Sequence, residues 1–209
     1  MIIAVDGPTA SGKGTIAKAL AAHFGLPHLD TGLLYRAVGY TVAQNGGDPD
    51  DEEHALAACD FRDLLLATPD LRDEHVGGLA SRVSVHTKVR NALFDRQRQF
   101  ALQEGGAVLD GRDIGAVIAP EANVKLYVTA STAERAARRF AEMRERGQDE
   151  LTLETVVADL ERRDARDEGR ADAPLAVAPD AFVLDTTEMD RETAVARAIE
   201  AVERIARAS

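Results

Sequence analysis

The chain contains no tryptophan, and cysteine occurs once, as Cys59. One thiol cannot close an internal disulfide or supply the paired thiolates of a CxxC metal or redox site. No apolar run approaches the ~20 residues that a membrane-crossing helix needs. The N-terminal run Ile2-Ile3-Ala4-Val5 stops at Asp6 without a basic leader, so no signal peptide is expected and a cytoplasmic location is. Positive charge is the scarcer sign: 25 Lys+Arg stand against 36 Asp+Glu, a net charge of −11. That balance argues against a sequence-independent binder of DNA or RNA, whose affinity rests on displacing counterions with Lys and Arg. It leaves room for a small phosphorylated ligand held by a local arginine cluster. The five histidines show no HExxH or other ligand spacing, so no dedicated metal site is expected. Internal repeats and low-complexity tracts are also lacking.

What remains is a chain of 209 residues with 45% apolar and 29% charged content, enough for one buried core. Ile2 to Val5 reads as a short buried strand, followed by a glycine-rich loop. From Lys13 to Phe24, Ile16, Ala17, Leu20, Ala21 and Phe24 fall at helical spacing, and Gly25 closes the helix. The alternation recurs. Ala107-Val108-Leu109, Val124 to Val128 and Phe182 to Asp185 read as strands, Ser131 to Glu134 has the spacing of a helix capping box, and Arg191 to Arg207 is a last helix. Short apolar strands alternating with helices predict an α/β fold, with a parallel sheet covered on both faces in three α/β/α layers. Two stretches interrupt the rhythm. Residues 37–85 read as mostly helical with weak strand content, and residues 142–172 are dense in charge.

Gly7-Pro8-Thr9-Ala10-Ser11-Gly12-Lys13 matches G-x-x-x-x-G-K, after a strand and at the opening of a helix, which is the context the pattern requires. Such a P-loop curls its backbone N–H groups around a phosphate, and the helix N-terminus adds partial positive charge. Lys13 can then reach the β- and γ-phosphoryl oxygens. The strict pattern continues with Ser or Thr, whereas here Gly14 precedes Thr15.

With Gly-Lys-Gly-Thr in that place, the chain resembles the nucleoside monophosphate kinases and, within them, the bacterial cytidylate kinases. Four further stretches carry the likeness: Leu29 to Arg36, Val89-Arg90, Asp110-Gly111-Arg112-Asp113-Ile114-Gly115, and Arg163-Asp164-Ala165-Arg166-Asp167-Glu168-Gly169-Arg170. The resemblance runs from Ile2 to the final helix. It implies transfer of the γ-phosphoryl of ATP, with Mg²⁺, to CMP or dCMP by a monomer. It divides the chain into a P-loop core (residues 1–36, 86–141 and 173–209), a nucleotide-acceptor insert (37–85) and a lid (142–172).

The resemblance assigns ATP binding to Gly7, Pro8, Thr9, Ala10, Ser11, Gly12, Lys13, Gly14 and Thr15. It gives the acceptor Thr31, Arg36, Ser81, Arg90, Arg112, Asp113, Arg163, Asp167 and Arg170, and catalysis Lys13, Arg112 and Arg166. Arg36 and Arg112 grip the acceptor phosphate, where an Arg fork pairs with two oxygens. Ser81, Arg90 and Asp113 read the base: an acceptor suits the exocyclic amine of cytosine and faces a carbonyl in uracil. Ser84 lies one helical turn from Ser81 and competes for that position. Arg163, Asp167 and Arg170, spaced i, i+4 and i+7, are expected on one side of a helix. There Arg163 and Asp167 hold the ribose, and the alternative is an Arg–Asp ladder on a solvated face. Arg138, Arg139 and Arg166 are candidates for a lid that closes over the ATP phosphates. Mg²⁺ is expected close to Thr15 and Asp110, although Asp110 serves equally well to hold the loop.

The chain departs from the extended bacterial pattern in the insert. The Asp60 to Leu79 portion is short, with Leu64-Leu65-Leu66 as its only strand-like run, and an alternating hairpin is lacking. Two other functions compete. One is a P-loop kinase with a relaxed acceptor range, taking UMP or another phosphorylated metabolite. The other is a GTP-binding switch, for which the guanine-reading Asn-Lys-x-Asp motif is missing.

Overall fold

A computed structural model describes residues 1–148 and 150–208. The apolar runs become five parallel strands of one sheet: β1 (Ile2–Asp6), β2 (His28–Asp30), β3 (Ala107–Gly111), β4 (Val124–Thr129) and β5 (Phe182–Asp185), in the order β2-β3-β1-β4-β5. β1 lies between β3 and β4, with Ile3 level with Val108 on one side and Val124 on the other. Ile3, Ala4 and Val5 are all fully buried, as a strand covered on both faces must be.

Alternate residues feed opposite faces. Ile3 and Val5 pack with Ile16 and Leu20 of α1 (Lys13–Phe24) and with Ala198 and Val202 of α8 (Arg191–Ala208). Ala4 and Leu109 pack on the other face with Ala101 of α5 (Thr87–Ala101) and with Ile114 and Ile118 of a short turn. Each fully buried Leu or Ile contributes about 1.5–3 kcal/mol. The chain order reverses about β1, and the crevice at the C-terminal strand ends is where such sheets place ligands.

The insert is helical. It comprises most of α2 (Thr31–Gln44), α3 (Glu52–Ala57), two 3₁₀ turns (Asp63–Ala67 and Pro69–Arg72) and α4 (Glu74–Val83). The expected strand character of Leu64-Leu65-Leu66 is not found: these residues form the first 3₁₀ turn, with Leu64 81% exposed. A strand here would need apolar cover on both faces and a neighbouring ladder, and among the described residues no strand pairs with this segment. Leu65 and Leu66 instead pack with Phe61, Tyr40 and Leu71. Among the described residues the insert has no strand, in keeping with its shortness.

The charged stretch contains the end of α6 (Thr132–Glu145) and all of α7 (Leu153–Glu168), so the expected boundary at 141/142 falls inside a helix. Ser131 caps α6 by accepting from Glu134 N at 3.2 Å, and Thr152 forms a capping box with Thr155 at α7. The single-helix placement of Arg163, Asp167 and Arg170 needs correction. α7 ends at Glu168 and Gly169 caps it, so Arg170 lies beyond the helix, its Nε turned back onto Asp167 O at 3.3 Å. Among the described residues no helix is long and apolar enough to cross a membrane.

Candidate active site

The loop after β1 is shaped by close backbone approach. Gly7 has φ +154°, and a Cβ there would sit 2.0 Å from Val128 O, so any side chain would push the loop off β4. Ala10 holds a left-handed φ of +62°, a strained conformation typical of ligand-cradling turns. Gly12 is the N-cap of α1 and offers no side-chain cap, which leaves first-turn N–H groups for an anion. Lys13 Nζ folds back to donate to Pro8 O at 3.2 Å. Burial, reinforced by Arg112, pushes the Lys13 ammonium down to about 8. Gly14 faces Asp110, whose Oδ2 would lie 3.6 Å from a Cβ at that position.

This loop forms one wall of a cavity of about 360 Å³. Of the sequence-predicted residues, Thr9, Ala10, Gly12, Lys13, Gly14 and Thr15 line it together with Thr31, Arg36, Ser81, Arg112, Asp113, Arg163, Asp167 and Arg170. Gly7, Pro8, Ser11, Arg90 and Arg166 do not. Arg112 ties the two sides together: its Nη2 donates to Thr9 Oγ1 at 2.7 Å and its Nε to Asp167 Oδ2 at 2.7 Å. Burial alone would lower the pKa of Arg112, but Asp167 outweighs it and the net shift is upward. Asp167 is held below the usual carboxylate range, its burial outweighed by Arg112 and Arg170.

Arg90 stands behind Asp113 in a buried ion pair, with its guanidinium 5.9 Å from the centre of the Tyr35 ring. Ser81 and Ser84 both line the cavity; Ser84 Oγ donates to Ser81 O, and Arg166 Nη1 donates to Ser81 Oγ at 3.3 Å. Thr31 Oγ1 donates to Asp110 O at 2.8 Å. Arg36 donates through Nη1 to Leu71 O and Asp73 O, both at 2.9 Å. Burial, then the neighbouring Arg163 and Arg139, bring the Arg36 guanidinium down to about 10. The expected lid role of Arg138 meets a different geometry. It donates to Thr186 Oγ1 at 3.0 Å and Thr186 O at 2.6 Å, which fastens it to the loop after β5.

Sequence reasoning missed Asp6, Glu74 and the His28–Asp110 contact. Both oxygens of Asp6 accept backbone N–H groups, from Ile114 and Gly115, at 2.8 Å each. Burial raises its carboxyl to about 6 despite those bonds. An acid ending a buried strand directly before the P-loop was the available signal. Glu74 pairs with both Arg139 and Arg163. His28 Nε2 lies 2.7 Å from Asp110 Oδ1, which gives Asp110 a structural tie.

Thr15, Asp30 and Asp110 line the phosphate end of the cavity with hard oxygen donors, the chemistry that suits Mg²⁺ through its waters. Among the described residues no group of three or more His, Cys, Asp or Glu could cage a cation. The donor set therefore fits a metal ion carried in on phosphates.

A family model described as cytidylate kinase matches residues 3–204. A cytidylate kinase from Caulobacter sp. (strain K31) is 55% identical over 194 residues, 92% of this chain and 89% of that protein. Another from Methylocella silvestris is 52% identical over 206 residues, 97% of this chain and 94% of that protein. An uncharacterized protein from Eubacterium ventriosum shares the fold, with a TM-score of 0.58 at 16% identity over 97% of this chain and 98% of that one.

Proposed function

On the premise that this chain belongs to the cytidylate kinase family, as an ATP-dependent nucleoside monophosphate kinase, we propose that it transfers the γ-phosphoryl of ATP to CMP or dCMP. The observation that carries the reading is Arg112, a cation bonded to the phosphate loop at Thr9 and to the acceptor side at Asp167. Donor and acceptor phosphates repel each other, so a group placed between them neutralises charge at the point of transfer. Lys13 and the first turn of α1 hold the donor phosphates. Arg36 and Arg112 pair with the acceptor phosphate, and Asp167 and Arg163 hold the ribose. Mg²⁺ arriving with ATP near Thr15 and Asp110 supplies further neutralisation of the triphosphate.

The base is read by Asp113 and Ser81, which accept from the cytosine amine, while Arg90 fixes Asp113 from behind. No general base is needed, because the acceptor phosphate is already a nucleophilic oxyanion. Arg139 on α6 lines the cavity and Arg166 on α7 donates to Ser81, and closure of these helices excludes water from the γ-phosphoryl. Arg138 anchors the lid's first helix to the core. The protein acts in the cytoplasm, as a monomer, in pyrimidine nucleotide metabolism.

ADP release from ATP and Mg²⁺ against CMP, dCMP, UMP, AMP and dTMP tests this. Strong turnover with CMP and dCMP and weak turnover with UMP is expected. Equal turnover on UMP or AMP would replace the base assignment with the relaxed-acceptor kinase, and acceptor-independent GTP turnover would favour the switch.

A further inference from the structure

Arginines from three elements converge on one short segment, Leu71 to Glu74. Arg36 of α2 donates to Leu71 O and Asp73 O. Arg146, just after α6, donates to Arg72 O at 3.0 Å. Arg139 of α6 and Arg163 of α7 each pair with one oxygen of Glu74, whose side chain is 20% exposed. The packing is close: a Cβ on Gly77 would lie 2.8 Å from Arg36 Nη2 and 3.2 Å from Arg163 Nη1.

Three guanidiniums, Arg36, Arg139 and Arg163, thus crowd together in a half-buried place where their charges repel. Burial lowers the pKa of all three, and Arg163 lowers those of Arg36 and Arg139 further. Glu142 and Asp159 neutralise part of this from the lid's own helices. Glu74 reaches across from the insert and joins it to both α6 and α7 through one carboxylate. A phosphate entering the cavity meets Arg36, Arg139 and Arg163 on its wall and competes with that carboxylate for the same N–H donors.

We infer that Glu74 is a specificity-determining residue: an internal anion that holds Arg139 and Arg163 until an acceptor bearing a phosphate displaces it, so that insert and lid rearrange for a nucleotide and not for a nucleoside. The inference rests on the acceptor assignment above. An unphosphorylated cytidine presents the same base and ribose but no charge with which to compete. Discrimination of this kind comes from what the wrong ligand fails to break as much as from what the right one makes.

Titration calorimetry of wild type and Glu74→Gln with CMP and with cytidine tests it. Removing the carboxylate leaves the guanidiniums in want of an anion, so CMP should bind about five- to tenfold tighter. Cytidine should change by less than about twofold, since its ribose meets Arg163 through neutral hydroxyls, which do not replace an anion. A structural salt bridge alone would weaken both ligands or neither. Unchanged or weaker CMP binding, or equal tightening of cytidine, overturns the inference. If Glu74→Gln lacks a cooperative melting transition, Glu74→Asp keeps the charge and shortens the reach, and it should tighten CMP by about twofold or more. Unchanged CMP affinity there overturns it equally. A wild-type chain that releases ADP with CMP, while its variants bind CMP no tighter, sinks the role of Glu74 alone. A wild-type chain that neither binds nor turns over CMP sinks the acceptor assignment as well.

Discussion

The phosphate loop and the arginine network opposite it solve the same problem, holding negative charge, by different means. The loop is built from backbone. Gly7 is pressed to β4, Ala10 is left-handed, and α1 opens with N–H groups that no side chain caps. Its geometry is fixed by close approach to the sheet. The network is built from long side chains on α2, α4, α6 and α7, and its arginines are already paired with Glu74, Asp167 and backbone carbonyls. A backbone cradle is preorganised and gives affinity at once. A side-chain network has to exchange partners, which makes binding conditional on what the ligand carries.

Lys13→Ala strikes the one side chain on which the loop depends, and the largest effect is expected there. Losing a cation aimed at the transferring phosphoryl lowers kcat on the order of 10²–10³-fold. The fold should not suffer. The Lys13 pKa of about 8 lies below that of an ordinary lysine, so at pH 7 the ammonium is charged against burial and its removal relieves that cost. Steady-state ADP release and a thermal melt decide the point. An active variant would mean that the backbone cradle suffices without the lysine.

The same contrast explains what the sequence disclosed. Strand, loop and first helix were legible because apolar periodicity and the glycine pattern are local signals: α1 runs Lys13–Phe24 and caps at Gly25, as the spacing predicts. The cavity wall was legible by resemblance, with Arg36, Arg112, Asp113, Arg163 and Asp167 all facing one space. The insert was not. Leu64-Leu65-Leu66 is a short apolar run that strand and helix both accommodate, and only its tertiary neighbours decide. Partner choice among arginines was also hidden. Arg138 and Arg139 are adjacent in sequence, yet α6 points one at Thr186 and the other at Glu74, because successive helical residues face different ways. Glu74 carries no sequence pattern of its own, since its importance comes from contacts more than 60 residues away, and Asp6 offered only its place at the end of a buried strand before the P-loop.

A smaller effect is expected on the network side, from Asp113→Asn. The amide keeps the shape and spares Arg90 a wholly empty neighbour, but its NH₂ can face the carbonyl of uracil. The CMP-to-UMP ratio of kcat/KM should narrow by about tenfold, as expected when one charge-assisted hydrogen bond is lost. ATP KM should stay near wild type, because the donor loop does not touch that carboxylate. A preserved ratio would move base reading to Ser81 or Ser84 and break the division between a rigid donor side and a discriminating acceptor side.

The least effect, and the sharpest on the boundary between the two regions, belongs to Asp6. It ends β1 immediately before the phosphate loop, and both its oxygens hold the turn that follows Asp113. It thus ties the rigid side to the discriminating one. Its folded pKa of about 6 lies above the ordinary aspartate value of 3.8, because burial outweighs the two backbone bonds. The native state therefore holds this proton more tightly than the unfolded chain does. The cost of keeping Asp6 ionised is fully present above pH 6, and stability is regained as pH falls from 6 towards 4. Asp6→Asn does not titrate, so subtracting its unfolding free energy from that of wild type isolates the group. In denaturant unfolding at pH 4, 5, 6 and 7, that difference should move in favour of wild type by about 1.4 kcal/mol per pH unit between 6 and 4, and stay flat from 6 to 7. A difference that is flat throughout would mean that Asp6 is ionised over the whole range, and that its backbone bonds outweigh its burial.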